Sequence, residues 1–271
     1  MLIDSHIHLQ DIQDQGVRAD LLSRAAEVQV GKLMCNGIRP EDWSLVDEIS
    51  RGNDRVVPFF GVHPWYADKV GPGWDVELER LLQREEAGIG EIGLDKVRKE
   101  VSYARQTEVF HRQIQIAGRL SKPMAIHCVR AWGDLLNILR SNLTPGSRFM
   151  MHSFHGSPEM LRNFLELGAY ISFSWKILCH GTEEIMNLIR QVPMDRLLLE
   201  TDFPYTEPHR MGTDITAGKY FECLRGVYSL AARAKEIEEG ELEKKVWENG
   251  AAFLHRTSEH PKGLSAQQTA E

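Results

Sequence analysis

Histidines and carboxylates follow short apolar runs at several places in this 271-residue chain. His6 and His8 stand two residues apart at the end of the first run, and this spacing puts both imidazoles on one face of a strand. Two nitrogens placed in this way can reach one metal ion at about 2.0–2.1 Å. Four further residues follow later apolar runs: Glu91, His127, His152 and Asp202. Six ligands exceed the three or four of one catalytic zinc, so the pattern favours two ions that share a bridging carboxylate.

The apolar runs themselves alternate with helix-like segments along the chain. In the clearest of them, three leucines precede Glu200, Thr201 and Asp202, which predicts a buried strand with a polar C-terminal tip. Eight such strands match the number that closes a (β/α)8 TIM barrel, an α/β fold that typically takes about 250 residues. We expect strands over Met1–His8, Lys32–Cys35, Val56–Val62, Ile89–Leu94, Met124–His127, Phe149–His152, Ala169–Phe173 and Leu197–Thr201. The active site of such a barrel lies at the C-terminal ends of the strands.

Length and composition predict one domain in a soluble protein. We expect a single barrel domain over residues 1–254 and a polar, flexible tail over 255–271. No stretch approaches the ~20 apolar residues of a membrane span and the N-terminus is unlike a signal peptide, so we expect a cytoplasmic protein without membrane contact. No obligate protein partner is evident. The net charge of −7 argues against a broad nucleic-acid-coating surface but is compatible with binding one or two phosphates.

Six motifs, in their order and spacing, resemble those of the TatD-related metal-dependent hydrolases, a TIM-barrel branch of the amidohydrolase superfamily. The matching segments are Asp4-Ser-His-Ile-His8, Gly61-Val-His-Pro64, Gly90-Glu-Ile-Gly-Leu-Asp95, Ile126-His127, His152-Ser-Phe-His-Gly156 and Leu199-Glu-Thr-Asp-Phe-Pro-Tyr205. The resemblance runs to about Leu254. It implies a metal-dependent nuclease, because several members of that family act on DNA, and hence the hydrolysis of phosphodiesters.

The resemblance also implies roles for the six candidate ligands. One ion takes the two histidines of the first strand with Glu91 and Asp202, and Glu91 bridges to a second ion held by His127 and His152. Four histidines and two carboxylates favour Zn, Mn, Co or Ni over Mg. A hydroxide held between two such ions is expected to attack phosphorus while Asp202 accepts its proton, with Glu91 as the other catalytic carboxylate.

Four flanking residues are candidates for contacts with substrate or ligands. The resemblance points His63 toward the phosphate, although a structural cap beside Pro64 is the alternative. Arg130 could hold a phosphate bidentately or lie exposed without a role. Glu200 and Tyr205 could orient the metal ligands from behind. A fifth residue, Asp95, could orient the metal ligands in the same way, or it could cap a helix.

Two loops depart from the family pattern and leave the substrate open. The chain reads Lys96-Val-Arg-Lys99 where aromatic residues are common, and residues 206–214 replace a basic run. We expect single-stranded or frayed DNA to be the substrate. The alternatives are a small-molecule ester, lactone, amide or phosphoester hydrolase and, with all six ligands present, the less favoured catalytically silent binding protein.

Overall fold

The computed structural model describes residues 1–175, 183–205 and 215–255. Its centre is an eight-stranded sheet in which sequential strands pair in parallel, in the order β1 to β8. The strands are Leu2–Ile7 (β1), Val30–Asn36 (β2), Val56–Phe60 (β3), Gly88–Asp95 (β4), Met124–Val129 (β5), Phe149–Met151 (β6), Tyr170–Ser174 (β7) and Leu197–Glu200 (β8). All eight predicted strands are present, and the predicted TIM barrel is confirmed.

The ends of β8 and β1 meet, which brings the sheet close to a closed barrel. The amide of Asp202 donates to the carbonyl of His6 at 3.0 Å, and the amide of His8 donates to the carbonyl of Phe203 at 2.8 Å. The buried Asp4 carboxylate accepts the Thr201 amide at 3.0 Å and the Thr201 hydroxyl at 2.7 Å. These contacts place the two ends of the predicted site side by side.

Helices alternate with the strands, as the sequence pattern predicts. In the described residues they are Gln15–Glu27 (α1), Pro40–Gly52 (α2), Trp74–Leu81 (α3), Tyr103–Leu120 (α4), Trp132–Asn142 (α5), Pro158–Glu166 (α6), Glu183–Gln191 (α7), Ala217–Lys235 (α8) and Glu239–Leu254 (α9). Ser102, Ser157 and Thr216 each accept an amide of the first turn and so begin α4, α6 and α8. No helix in the described ranges is long and apolar enough to cross a membrane.

The strands are buried on both faces, which explains their nearly continuous apolar sequences. Gly93 in β4 lies opposite His127 in β5, and a side chain at Gly93 would collide with the His127 carbonyl. Its φ of 144° is also unfavourable for other residues. Glycine at this position therefore allows the close pairing that sets His127 beside Glu91.

The expectation that every ligand stands at a strand tip needs correction. Glu91 lies in the middle of β4, and His6 and His127 lie within β1 and β5. Only His8, His152 and Asp202 lie just beyond the last residue of a strand. The strands continue further than the apolar runs because residues with polar side chains at the barrel mouth can still pair through their backbone in the sheet. The predicted tail beyond residue 255 and the loop 206–214 lie outside the described residues.

Candidate metal centre

The structure brings the six predicted ligands into one cluster around Glu91, which is buried. One carboxylate oxygen, Oε2, lies 3.4 Å from His6 Nε2 and 3.5 Å from His8 Nε2. The other, Oε1, lies 2.8 Å from His127 Nδ1 and 3.7 Å from His152 Nε2. Each oxygen thus faces its own pair of imidazoles, which is the arrangement that a carboxylate bridging two ions requires.

Asp202 completes the cluster from the end of β8. Its Oδ1 lies 3.5 Å from His8 Nε2 and 3.9 Å from His152 Nε2, so it stands between the two histidine pairs. The backbone of Asp202 is left-handed, with φ 58°, and the residues after β5 and β6, Arg130 and Ser153, share this conformation at 53° and 47°. Non-glycine residues in this region are uncommon and are enriched where a side chain must be aimed at a site.

The partners of His8 and His152 leave a nitrogen of each ring available for a metal. His8 Nδ1 lies 2.8 Å from the carbonyl of Asn36, which can only accept, so Nδ1 carries the proton and a neutral ring has its lone pair on Nε2. His8 Nε2 faces His6 Nε2 at 3.1 Å. His152 Nδ1 lies 2.7 Å from Glu200 Oε1, although the ring is not aligned for a good hydrogen bond. Contacts of this kind behind a histidine orient it toward a metal.

His63 differs from His8 in the ring nitrogen that carries the proton. Its Nδ1 accepts the backbone amide of Trp65 at 3.2 Å, so a neutral ring carries its proton on Nε2. That Nε2 lies 3.3 Å from Glu91 Oε1. His63 therefore caps the short 3-10 helix Pro64–Lys69 and also aims a donor at the cluster. In this tautomer Nε2 is a donor that can bind an oxygen of a substrate, and it could ligate a metal only if the hydrogen bond from Trp65 to Nδ1 were given up.

The electrostatics of the cluster are those of a site built for cations. Burial alone would raise the pKa of Glu91, but the charges of His63 and His152 and several hydrogen bonds outweigh it and hold that pKa well below its usual range. Burial lowers the pKa of His152, but the carboxylates of Glu200, Glu91 and Asp202 raise it to about 10. Without a cation the carboxylates of the cluster retain protons on His8, His127 and His152, whose pKa values are raised. A divalent ion would replace those protons, which is how metal binding is coupled to proton release.

Two of the predicted supporting residues lie directly behind the cluster. Glu200 is fully buried, accepts the Ser153 amide at 2.9 Å and the Ser172 hydroxyl at 2.5 Å, and faces His152. The Tyr205 ring packs edge-on against His8 with centroids 5.2 Å apart, and its hydroxyl donates to Asp11 at 2.8 Å. Each therefore contacts a candidate ligand from its outer side.

Asp95 supports the cluster and does not begin a helix. Its Oδ2 accepts the indole N–H of Trp65 at 2.6 Å and lies 3.5 Å from His127 Nε2, while its Oδ1 accepts the Val97 amide at 2.7 Å. Helix α4 begins eight residues later behind Ser102, so of the two interpretations for Asp95 the helix cap is wrong.

Arg130 lies apart from the cluster. It follows β5, is exposed, and its guanidinium has no hydrogen-bond or ion-pair partner among the residues described. Sequence reasoning also missed residues that the structure places at the site. Asn36 and Trp65 contact ligands or their supports, and only the position of each at the end of a predicted strand or motif could have indicated them.

Comparison with known proteins identifies the family. The sequence profile described as TatD related DNase matches residues 3–255. The chain belongs to this family. The uncharacterized metal-dependent hydrolase YcfH of Escherichia coli K12 is 33% identical over 261 residues, covering 94% of this chain and 96% of its own. A protein of Edwardsiella piscicida named 3'-5' ssDNA/RNA exonuclease TatD is 27% identical over 94% of this chain and 99% of its own.

A solved structure agrees with the barrel. YjjV, a TatD homolog from Escherichia coli K12, superposes with a TM-score of 0.82 at 24% identity, covering 93% of this chain and 97% of that one. The protein is thus a metal-dependent hydrolase of the TatD family. Among the residues that the structure describes, three groups of buried or partly buried residues have ligand atoms within 4.8 Å of one another and could hold metal ions: His6, His152 and Asp202; His6, His8 and Glu91; and His63, Glu91 and His127.

Proposed function

We propose that the protein is a two-metal deoxyribonuclease that cleaves phosphodiester bonds of single-stranded or frayed DNA. The observation that supports this most strongly is the Glu91 carboxylate, whose two oxygens face separate histidine pairs. A site for one ion would not need imidazoles on both sides of one carboxylate. The donor set fits two divalent ions, and its nitrogen content favours Zn, Mn, Co or Ni over Mg.

In this proposal the ligands divide between two positions. His6, His8, Asp202 and Glu91 would hold one ion. His127 and His152 would hold the second together with the other oxygen of Glu91. Bound ions of this type lower the pKa of water to near 7 and neutralise charge on phosphoryl oxygens.

The protein's own groups position the substrate and move the proton. Asp202 accepts a proton from the attacking water, because its carboxylate lies between both histidine pairs, and its lowered pKa keeps it ionised and so able to accept. Burial would raise that pKa, but the charges and hydrogen bonds of His152 and His8 outweigh the effect. His63 can donate its Nε2 proton to a phosphate oxygen. Arg130, exposed after β5, is a cation without a partner among the described residues and is available to a phosphate.

The choice of DNA as the substrate rests on the family and on the exposed cation Arg130. The family description names a DNase, and the relative from Edwardsiella piscicida is named as an exonuclease of single-stranded DNA and RNA. We further propose that residues 1–254 act as one barrel domain.

The test is a cleavage assay with purified protein, loaded in turn with Zn, Mn, Co, Ni and Mg. We expect single-stranded oligonucleotides to be cut faster than blunt duplexes, and a Glu91→Gln variant to be inactive. Asp195→Asn is the matched control, since Asp195 is an exposed carboxylate 76% accessible near the opposite end of β8. Turnover confined to small esters, lactones, amides or phosphoesters would overturn the proposed substrate and support the alternative hydrolase.

A further inference from the structure

A cavity of about 280 Å³ opens between the loop after β3 and the loop after β4. Two aromatic rings and two cations line it, from Trp65, Tyr66, Lys69 and Arg98. The metal ligands do not line it, and it lies outside the cluster described above. Its size is near the lower end for small-molecule pockets, which suits one planar group better than a large ligand.

Trp65 is the wall that this cavity shares with the metal centre. Its ring packs edge-on against His63 with centroids 4.8 Å apart, and its indole N–H donates to Asp95, which faces His127. The ring of Trp65 is also 6.4 Å from that of His127. A group in the cavity is therefore separated from the cluster by the thickness of one side chain.

The walls combine flat surfaces with positive charge. The guanidinium carbon of Arg98 lies 4.0 Å from the centroid of Trp65, and Arg98 is 44% exposed, so its outer face is accessible. Tyr66 lies between two cations, with Arg39 at 5.0 Å and Lys69 at 5.1 Å from its ring. Aromatic rings and guanidinium planes are the surfaces on which proteins stack unpaired bases.

The acidic residues at the cavity do not cancel this charge. Asp68 is engaged by the amide of Ser102 at 2.8 Å, at the start of α4. Glu100 lies 3.2 Å from Arg98, but its side chain is 65% exposed, and ion pairs open to solvent are weak. A phosphate can therefore compete with Glu100 for Arg98, and Lys69 remains as a further cation that lines the cavity.

We propose that this cavity binds the nucleobase next to the phosphodiester being cleaved. The base stacks on the outer face of the Arg98 guanidinium, whose inner face packs against Trp65, and Lys69 contacts the adjoining backbone phosphate. This inference rests on the proposed nuclease function. It also accounts for the loop Lys96–Lys99, which departs from the family pattern: the loop places a cation on Trp65 beside the metal centre.

The test compares two single-stranded oligonucleotides, one of ordinary nucleotides and one whose residues flanking the cleaved bond are abasic. Stacking of one base is worth a factor of about 5 to 100, so we expect the metal-loaded wild type to show kcat/KM higher by that factor for the ordinary strand. Arg98→Ala and Trp65→Ala should reduce this preference toward one. Trp65→Phe should keep the preference, because it keeps a ring, although it loses the hydrogen bond to Asp95.

Arg196→Ala is the matched control, since Arg196 lies over the ring of Tyr170 at 5.2 Å near the opposite end of the barrel. It should preserve the preference for bases. Equal kcat/KM on both strands in the wild type, or equal losses on both strands in Arg98→Ala, would overturn the cavity proposal alone. Failure of the wild type to cut either strand, with turnover of small esters, would instead overturn the nuclease function together with this inference.

Discussion

The two histidine pairs that meet at Glu91 are built differently. His6 and His8 come from adjacent positions on one face of β1 and its end, with their Nε2 atoms 3.1 Å apart, and His8 is oriented by a backbone carbonyl. His127 and His152 come from two different strands and are faced by the carboxylates of Asp95 and Glu200. One pair is thus defined within a strand and its end, and the other depends on four strands, β4, β5, β6 and β8, and on charged partners.

This difference has an electrostatic consequence. In the first pair, burial and the charge of His152 lower the pKa of His6, whereas at His8 the hydrogen bond of Asp202 and the charges of Glu91 and Asp202 overcome burial and raise the pKa to about 9. At His152, the Glu200 carboxylate is the first of the charges that overcome burial and raise the pKa to about 10. A buried carboxylate behind a histidine makes that ring a stronger base and also a stronger metal ligand. The two proposed metal positions should therefore respond differently to mutation.

The largest effect is expected at the residue that the two pairs share. Glu91→Ala removes both oxygens, so the protein should retain less than one metal ion per chain and lose nearly all activity. Metal analysis of the purified variant, alongside the cleavage assay, measures both. A variant that keeps two ions and full turnover would show that Glu91 does not bridge.

A substitution at Asp202 distinguishes its role as a metal ligand from its role in proton transfer. Asp202→Asn keeps an oxygen that can coordinate weakly but cannot accept a proton, so the rate should fall by about 10²–10⁴-fold while metal content falls less. Stopped assays compare the turnover of the wild type and of Asp202→Asn after both are loaded to the same metal content. Near-normal turnover would remove Asp202 from the mechanism.

Glu200→Gln tests only the pair of His127 and His152, which is faced by carboxylates. The change removes charge behind His152 while preserving shape, and loss of such support typically costs about 10- to 100-fold in metal affinity or activity. We expect one of two metal positions to weaken, measured by titration with a chelator. If both positions weaken equally, the two histidine pairs are not independent.

The smallest effect is expected at Arg130, which lies outside both pairs. Arg130→Ala should raise KM for an oligonucleotide about two- to fivefold, as for an exposed ionic contact, and leave both metals bound. In an Asp202→Asn background the salt dependence of binding should be shallow, with a slope near 0.7 per phosphate neutralised on a single strand. A slope of many units, or no change on removing Arg130, would point to another basic surface.

The sequence by itself determined the barrel and the identity of the six clustered residues. Strand patterns and turn signals are local, so eight apolar runs and a period-2 pair such as His6 and His8 can be read without coordinates. Arg98 and Trp65 show what local patterns cannot contain, because they are 33 positions apart and meet only where two barrel loops pack together.

Tertiary structure alone decided how the clustered residues face one another. Glu91 lies in mid-strand, not at a tip, and faces His127 because the pairing of β4 with β5 sets Gly93 opposite His127. The proton positions on His8 and His63 depend on the Asn36 carbonyl and the Trp65 amide. Such contacts follow from strand register and barrel closure, which depend on the packing of the whole chain and not on any one segment.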